Sequence, residues 1–112
     1  MLSVLRGDAP RASVATAVRY TLQLLAERAE GGTVEVRVPP FGAVQCIPGP
    51  KHTRGTPPNV VETDAETWLA LAAGTLDWTD AVAAHRVSAS GQRADLTGWV
   101  PLPPIASLRA RA

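Results

Sequence analysis

Residues 68–78, WLALAAGTLDW, place two of the three tryptophans of the chain on either side of a glycine. The segment before Gly74 has the composition of a helix, and glycine commonly ends a helix in the left-handed conformation. Asp77 then stands at an N-cap position, so a second short helix is predicted to begin at Trp78. Tryptophans around such a break either pack two helices onto a core or line an apolar slot between them.

Upstream of this break, the sequence predicts a helix followed by three strands. The helix spans about residues 10–30, with Asp8 as its N-cap, because apolar side chains recur there at steps of three and four: Val14, Val18, Leu22, Leu25 and Ala29. Residues 33–38, TVEVRV, alternate strictly and predict a half-buried strand. After the turn Pro-Pro-Phe-Gly, residues 43–47 form the returning strand, and residues 59–62 form a third.

Around the quoted stretch, further signals complete the order of elements. A capping box from Thr63 to Glu66 opens the helix that Gly74 ends. Residues 86–90 alternate like a strand, and residues 92–100 predict a last helix that is ended by prolines. We therefore expect a single α+β domain over residues 1–112, with a core at about 10–102 and a loose tail at 103–112. Its mostly antiparallel sheet would have four to five strands, with helices on one face.

Composition narrows the possible functions. The 112 residues carry a net charge of +1 and no basic cluster of the kind that binds nucleic acid. Cys46 is the one cysteine, so neither an internal disulfide nor a cysteine-based zinc site is possible. No apolar run is long enough to span a membrane, and no export leader is visible. We expect a cytoplasmic protein without a metal or cofactor.

The loop at residues 51–56, KHTRGT, is the densest group of polar side chains. In one interpretation it is an anion pocket, in which the Arg54 guanidinium holds a carboxylate or phosphate and His52 donates a hydrogen bond. In the other it is a polar loop whose side chains form hydrogen bonds with the backbone of the loop itself. We predict His52 and Arg54 as the polar mouth of a ligand site. Because no nucleophile–base pair is visible, we expect a binding protein, and an enzyme that uses His52 and Arg54 on a thiol or carboxylate substrate is the least favoured alternative.

Six apolar residues are the candidates for the walls of a ligand cavity between the sheet and the helices. They are large side chains on or near the predicted helices of the C-terminal half: Trp68, Leu69, Leu76, Trp78, Leu96 and Trp99. Cys46 lies in an apolar strand and is expected to be an inert buried thiol.

Residues 64–78, DAETWLALAAGTLDW, followed by Ala-Val at 81–82 and RVSASG at 86–91, resemble the sterol carrier protein type 2 family. That family has an acidic helix start, a helix ending in glycine, a short second helix, and a strand that ends in serine or threonine and glycine. The helix and three strands upstream follow the same order, so the resemblance covers about residues 13–102. It extends to small bacterial members, which share the stretches PPFGAVQC and HTRGTPPN. His85 stands where the family commonly has glycine.

The resemblance implies a non-enzymatic domain that binds a lipid, a fatty acyl chain or another apolar small molecule. Related domains also accompany mycothiol-dependent maleylpyruvate isomerases, so an accessory domain with a filled core is the alternative. In that case the apolar tail at 101–108 would contact a partner, a second copy of the chain included.

Overall fold

The computed structural model describes residues 2–5, 7, 9–50 and 59–111. In chain order its elements are α1 (Leu2–Leu5), α2 (Arg11–Arg28), β1 (Val34–Val38), β2 (Gly42–Cys46), β3 (Asn59–Thr63), α3 (Ala65–Ala73), α4 (Trp78–Ala83), β4 (Val87–Ser90) and α5 (Pro103–Arg111). This order confirms the predicted α+β class.

The strands form one mixed sheet in the order β2-β1-β3-β4. β1 is antiparallel to β2, and β3 is antiparallel to β4, so the sheet is mostly antiparallel as predicted. The central pair, β1 and β3, is parallel. The mostly antiparallel sheet thus contains one parallel pair, because β3 follows β2 in the chain but pairs with β1. A parallel neighbour needs a long crossover, and β2 with the segment up to residue 58 supplies the length.

The alternation in β1 decides which face of the sheet is covered. Val34, Val36 and Val38 are fully buried, whereas Glu35 and Arg37 form a salt bridge on the opposite face. Helix α2 packs against β2. The apolar stripe predicted for α2 is confirmed by the burial of Val18, Leu22, Leu25 and Ala29.

The ends of α3 are set by its neighbours in sequence. The Asp64 carboxylate accepts a hydrogen bond from the Thr67 backbone N at 2.7 Å, so the N-cap is Asp64 and the predicted Thr63 cap is wrong by one residue. Thr63 ends β3, and its hydroxyl donates to the Arg86 carbonyl oxygen at 2.8 Å. At the other end, Gly74 has φ of 82°, which confirms the predicted left-handed stop.

The starts of α2 and α4 follow the prediction less closely. Pro10 is the N-cap of α2, and the predicted cap Asp8 lies outside the described residues. Helix α4 begins after Asp77 as predicted, but the Asp77 side chain makes no capping hydrogen bond.

The predicted helix at residues 92–100 is wrong, because that segment consists of turns. Asp95 Oδ1 accepts hydrogen bonds from the backbone N of Thr97 at 2.8 Å and from its hydroxyl at 2.6 Å. An aspartate that bonds two residues ahead favours a turn over a helix. These bonds also hold the pKa of Asp95 below its usual value. The Arg28 guanidinium fixes the next turn by donating to the Gly98 carbonyl oxygen at 3.3 Å.

The last helix is α5, which corrects the expectation of a loose tail at residues 103–111. Its first residue is Pro103, a position where proline loses no helical hydrogen bond. Leu102 and Ile105 are buried, and the Leu102 backbone N donates to the Ala72 carbonyl oxygen at 2.9 Å. Helix α5 thereby packs along α3.

Candidate functional site

Helix α3 presents one side to the protein core. Trp68 is completely buried, and its indole N–H donates to Thr21 Oγ1 at 2.7 Å. The Thr21 hydroxyl in turn donates to the Ala17 carbonyl oxygen at 2.7 Å. This buried polar chain joins α3 to α2 and fixes the orientation of the indole ring.

The layer between the sheet and the helices is occupied by protein side chains. Trp68 packs there with apolar residues from α2 and from the strands, all of them almost fully buried: Val18, Leu22, Leu25, Val34, Val36, Val38 and Val61. Close packing of this kind is normal for a protein interior.

A cavity of about 600 Å³ lies on the other side of α3, between α1, the beginning of α2 and α3. Its described lining is mostly small or apolar: Val4, Leu5, Gly7, Ala9, Val14, Ala65, Glu66, Leu69, Ala70, Ala73 and Thr75. The volume falls within the range of about 300–1,000 Å³ that is common for small-molecule sites.

Small side chains on α3 make this space. Ala65, Leu69 and Ala73 follow one another at steps of four and therefore form one row along the helix. Two of these three positions are alanine, which leaves room that larger residues would fill. Opposite this row stand Val4 and Leu5 of α1. The cavity floor is thus an apolar strip bounded by two helices.

The polar side chains of the cavity stand near opposite ends of α3. Glu66 lies in the first turn and is exposed, whereas Thr75 follows the C-terminal end of the helix. The Thr75 hydroxyl donates to the Ala70 carbonyl oxygen at 3.3 Å. At 1.5 Å per residue, the nine residues of α3 span about 13 Å. The apolar strip between the two polar ends is long enough for a medium-length alkyl chain.

The six predicted wall residues are distributed over different parts of the structure. Leu69 lines the cavity. Trp68, Trp78 and Leu96 are buried in the core, and Leu76 and Trp99 are partly buried against it. Their role as ligand contacts stays a prediction. His52 and Arg54, the predicted polar mouth, lie outside the described residues.

Several cavity residues are not marked as ligand contacts by the sequence. Val4 and Leu5 lie in a segment without clear periodicity. Val14 belongs to the apolar stripe of α2 and lies at the end of the stripe that reaches the cavity. The sequence feature that indicates a cavity beside α3 is the pair of small residues Ala65 and Ala70 on the helix face that carries Leu69.

Cys46 and His85 are the cysteine and the histidine among the described residues. Burial raises the pKa of the Cys46 thiol to about 11, so the thiol stays protonated and weakly nucleophilic at neutral pH. His85 follows α4 with a positive φ of 57°, a conformation that suits the glycine common at this place in the family. Among the described residues, no three His, Cys, Asp or Glu side chains are grouped as metal ligands. None of the described helices has the length and apolar character to span a membrane.

The structure defines the class of the protein: an α+β domain with helices on one face of a sheet and a cavity among those helices. The comparison with known families gives the particular group. The family described as bacterial SCP ortholog matches residues 10–102, and the chain belongs to that family. This confirms the sterol-carrier-like resemblance. No curated protein matches the chain. Helices α1 and α5 lie outside the matched residues.

Proposed function

We propose that this protein is a non-enzymatic carrier that binds an apolar small molecule, such as a lipid or a fatty acyl chain. We place the binding site in the cavity between α1, α2 and α3. The observation that carries the proposal is the apolar strip on α3, which faces about 600 Å³ of space in a chain of the bacterial SCP ortholog family.

Burial of the ligand would supply the affinity. Each 100 Å² or so of apolar ligand surface removed from water contributes about 2.5 kcal/mol, before the cost of association is subtracted. The cavity floor consists of Leu69 and three alanines, which present no polar atoms of their side chains to the ligand. This floor would therefore recognise the apolar body of a ligand by its shape.

The test has two parts. The purified protein is extracted with organic solvent, and the extract is searched for bound lipid by mass spectrometry. The protein is then titrated with Nile red, a neutral apolar dye, and saturable binding is expected. Absence of both a bound lipid and saturable dye binding would overturn the carrier function.

A matched pair of variants places the site. Ala70→Trp puts a large side chain into the cavity and is expected to weaken Nile red binding at least about tenfold by filling the space. The control is Ala43→Trp, because Ala43 is exposed on β2 and lies outside the cavity lining. Equal binding by both variants would show that the dye binds elsewhere.

The filled layer between sheet and helices favours a second candidate function. Trp68 is buried and hydrogen-bonded inside the core, as expected for an accessory domain that carries no ligand. Such a domain would act through contacts with another protein or with a second copy of the chain. This second function predicts that no lipid co-purifies with the protein. It also predicts that Ala70→Trp binds a partner and has a mass in solution like the wild-type protein.

A further inference from the structure

The charged and polar groups of the cavity indicate which end of a ligand it would accept. Among the described lining residues, Glu66 is the ionisable one and Thr75 brings a hydroxyl group. An anionic head group beside Glu66 would therefore meet a group of like charge.

The net charge of the protein does not favour a cationic ligand. The chain as a whole carries a charge of +1, which would weakly repel a cation and attract an anion. A preference for a cationic ligand would consequently have to come from the local charge of Glu66. Glu66 lies in the first turn of α3, at the edge of the cavity.

We propose that the cavity selects apolar molecules whose polar end donates hydrogen bonds, with a primary amine preferred over an alcohol and a carboxylate disfavoured. The proposal rests on the function proposed above and names its ligand class. The ammonium or hydroxyl group would lie beside the Glu66 carboxylate at the mouth, and the chain would extend along Leu69 and Ala70 towards Thr75.

The effect on affinity is moderate, because Glu66 is exposed and water screens its charge. Exposed ion pairs contribute up to about 1 kcal/mol, which corresponds to a difference in affinity of up to about fivefold. A like-charged carboxylate is expected to lose affinity by a similar factor. The apolar chain supplies most of the binding, and the head group ranks ligands of equal length.

The experiment uses three ligands with the same alkyl chain: dodecylamine, dodecan-1-ol and dodecanoate. Each displaces Nile red from the full chain at pH 7, at low ionic strength and below its aggregation concentration. Dodecylamine is expected to compete best, dodecanol next, and dodecanoate worst, with up to about fivefold between neighbours.

Two variants test the origin of the ranking. Glu66→Gln should bring the three ligands to within about twofold of one another by removing the charge. Glu62→Gln removes the same charge from the exposed face of β3 and should leave the wild-type ranking unchanged. Raising the salt concentration should compress the wild-type ranking in the same direction as Glu66→Gln.

The outcomes separate the two proposals. If Nile red and all three ligands fail to bind, the carrier function itself is wrong. If the ligands bind but dodecanoate competes as well as dodecylamine, the cavity stands and the head-group preference is wrong. A ranking that survives Glu66→Gln would also overturn the assignment to Glu66.

Discussion

The two sides of α3 use the same helix for opposite purposes. On one side, Trp68 is fully buried and hydrogen-bonded to Thr21 of α2. On the other side, Ala65, Leu69 and Ala70 face a cavity of about 600 Å³. The first side has a large side chain where the neighbouring helix is close. The second has mostly methyl groups where the neighbouring helix is the single turn of α1.

The difference shows that side-chain volume, and not hydrophobicity alone, decides whether an apolar helix face becomes core or cavity wall. Both faces are apolar, and both would be assigned to a core by their spacing. A helix face of alanines packs without a void only when the opposite helix lies close to it, and α1 does not lie that close to α3.

The largest expected effect comes from removing the Trp68 ring, which is buried on the core side of α3. Trp68→Ala should lower the free energy of unfolding by about 3–5 kcal/mol, because it removes a buried aromatic ring and leaves a void. Urea denaturation followed by circular dichroism measures it. Tyr20→Ala is the control, since 51% of Tyr20 is exposed, and it should cost far less. A loss below about 1 kcal/mol for Trp68→Ala would contradict the tight packing assigned to this side.

The second prediction enlarges one alanine on each side. Ala72 is fully buried, so Ala72→Leu should destabilise the fold by about 1–3 kcal/mol through overpacking. Ala70 faces the cavity, so Ala70→Leu has room for its added atoms and should change stability by less than about 0.5 kcal/mol. Thermal unfolding of the two variants gives the comparison. Similar losses in both would mean that the cavity closes in solution.

The third prediction concerns the hydrogen bond between the Trp68 indole and Thr21 on the core side of α3. Thr21→Val keeps the shape of the side chain but leaves the Trp68 indole N–H without its acceptor. An unsatisfied buried donor costs about 1–2 kcal/mol, measured as a shift in the urea midpoint at unchanged slope. Trp68→Phe in the same background tests the cause. The two changes should be less than additive if they break the same interaction.

The smallest predicted effect concerns the start of α3, which supports both sides. Asp64→Ala should cost about 1 kcal/mol, because the Thr67 N–H loses its capping carboxylate. Asp77→Ala is the matched control at the start of α4. The Asp77 side chain makes no capping bond, so its loss should be smaller. Equal losses would indicate that helix-dipole charge, and not the hydrogen bond, sets the stability at these positions.

The sequence predicts well where periodicity is strong. The α2 stripe and the alternation Val34, Val36, Val38 follow from repeats of 3.6 and 2 residues, and burial confirms both. The stop at Gly74 follows from backbone sterics that hold in any context. These features depend on residues close together in the chain, so local rules are sufficient to find them.

The predictions from the sequence fail where a local side-chain hydrogen bond or a contact between distant segments determines the structure. The hydrogen bonds between Asp95 and Thr97 favour turns at residues 92–100, where a helix is predicted. The parallel position of β3 depends on a crossover that no strand pattern reveals. The cavity depends on how far α1 stands from α3, a distance between segments about sixty residues apart. Val4 and Leu5 have no period that marks them as its wall.

The orientation of Trp68 has a practical consequence for spectroscopy. Its indole lies in a dry environment with its N–H bonded to Thr21, on the side of α3 away from the cavity. Intrinsic fluorescence of this tryptophan should therefore report unfolding strongly and a ligand in the cavity only weakly. Trp78 and Trp99 are not among the described lining residues either, so a flat emission signal during a lipid titration would not count against binding. The optical probe therefore has to be carried by the ligand.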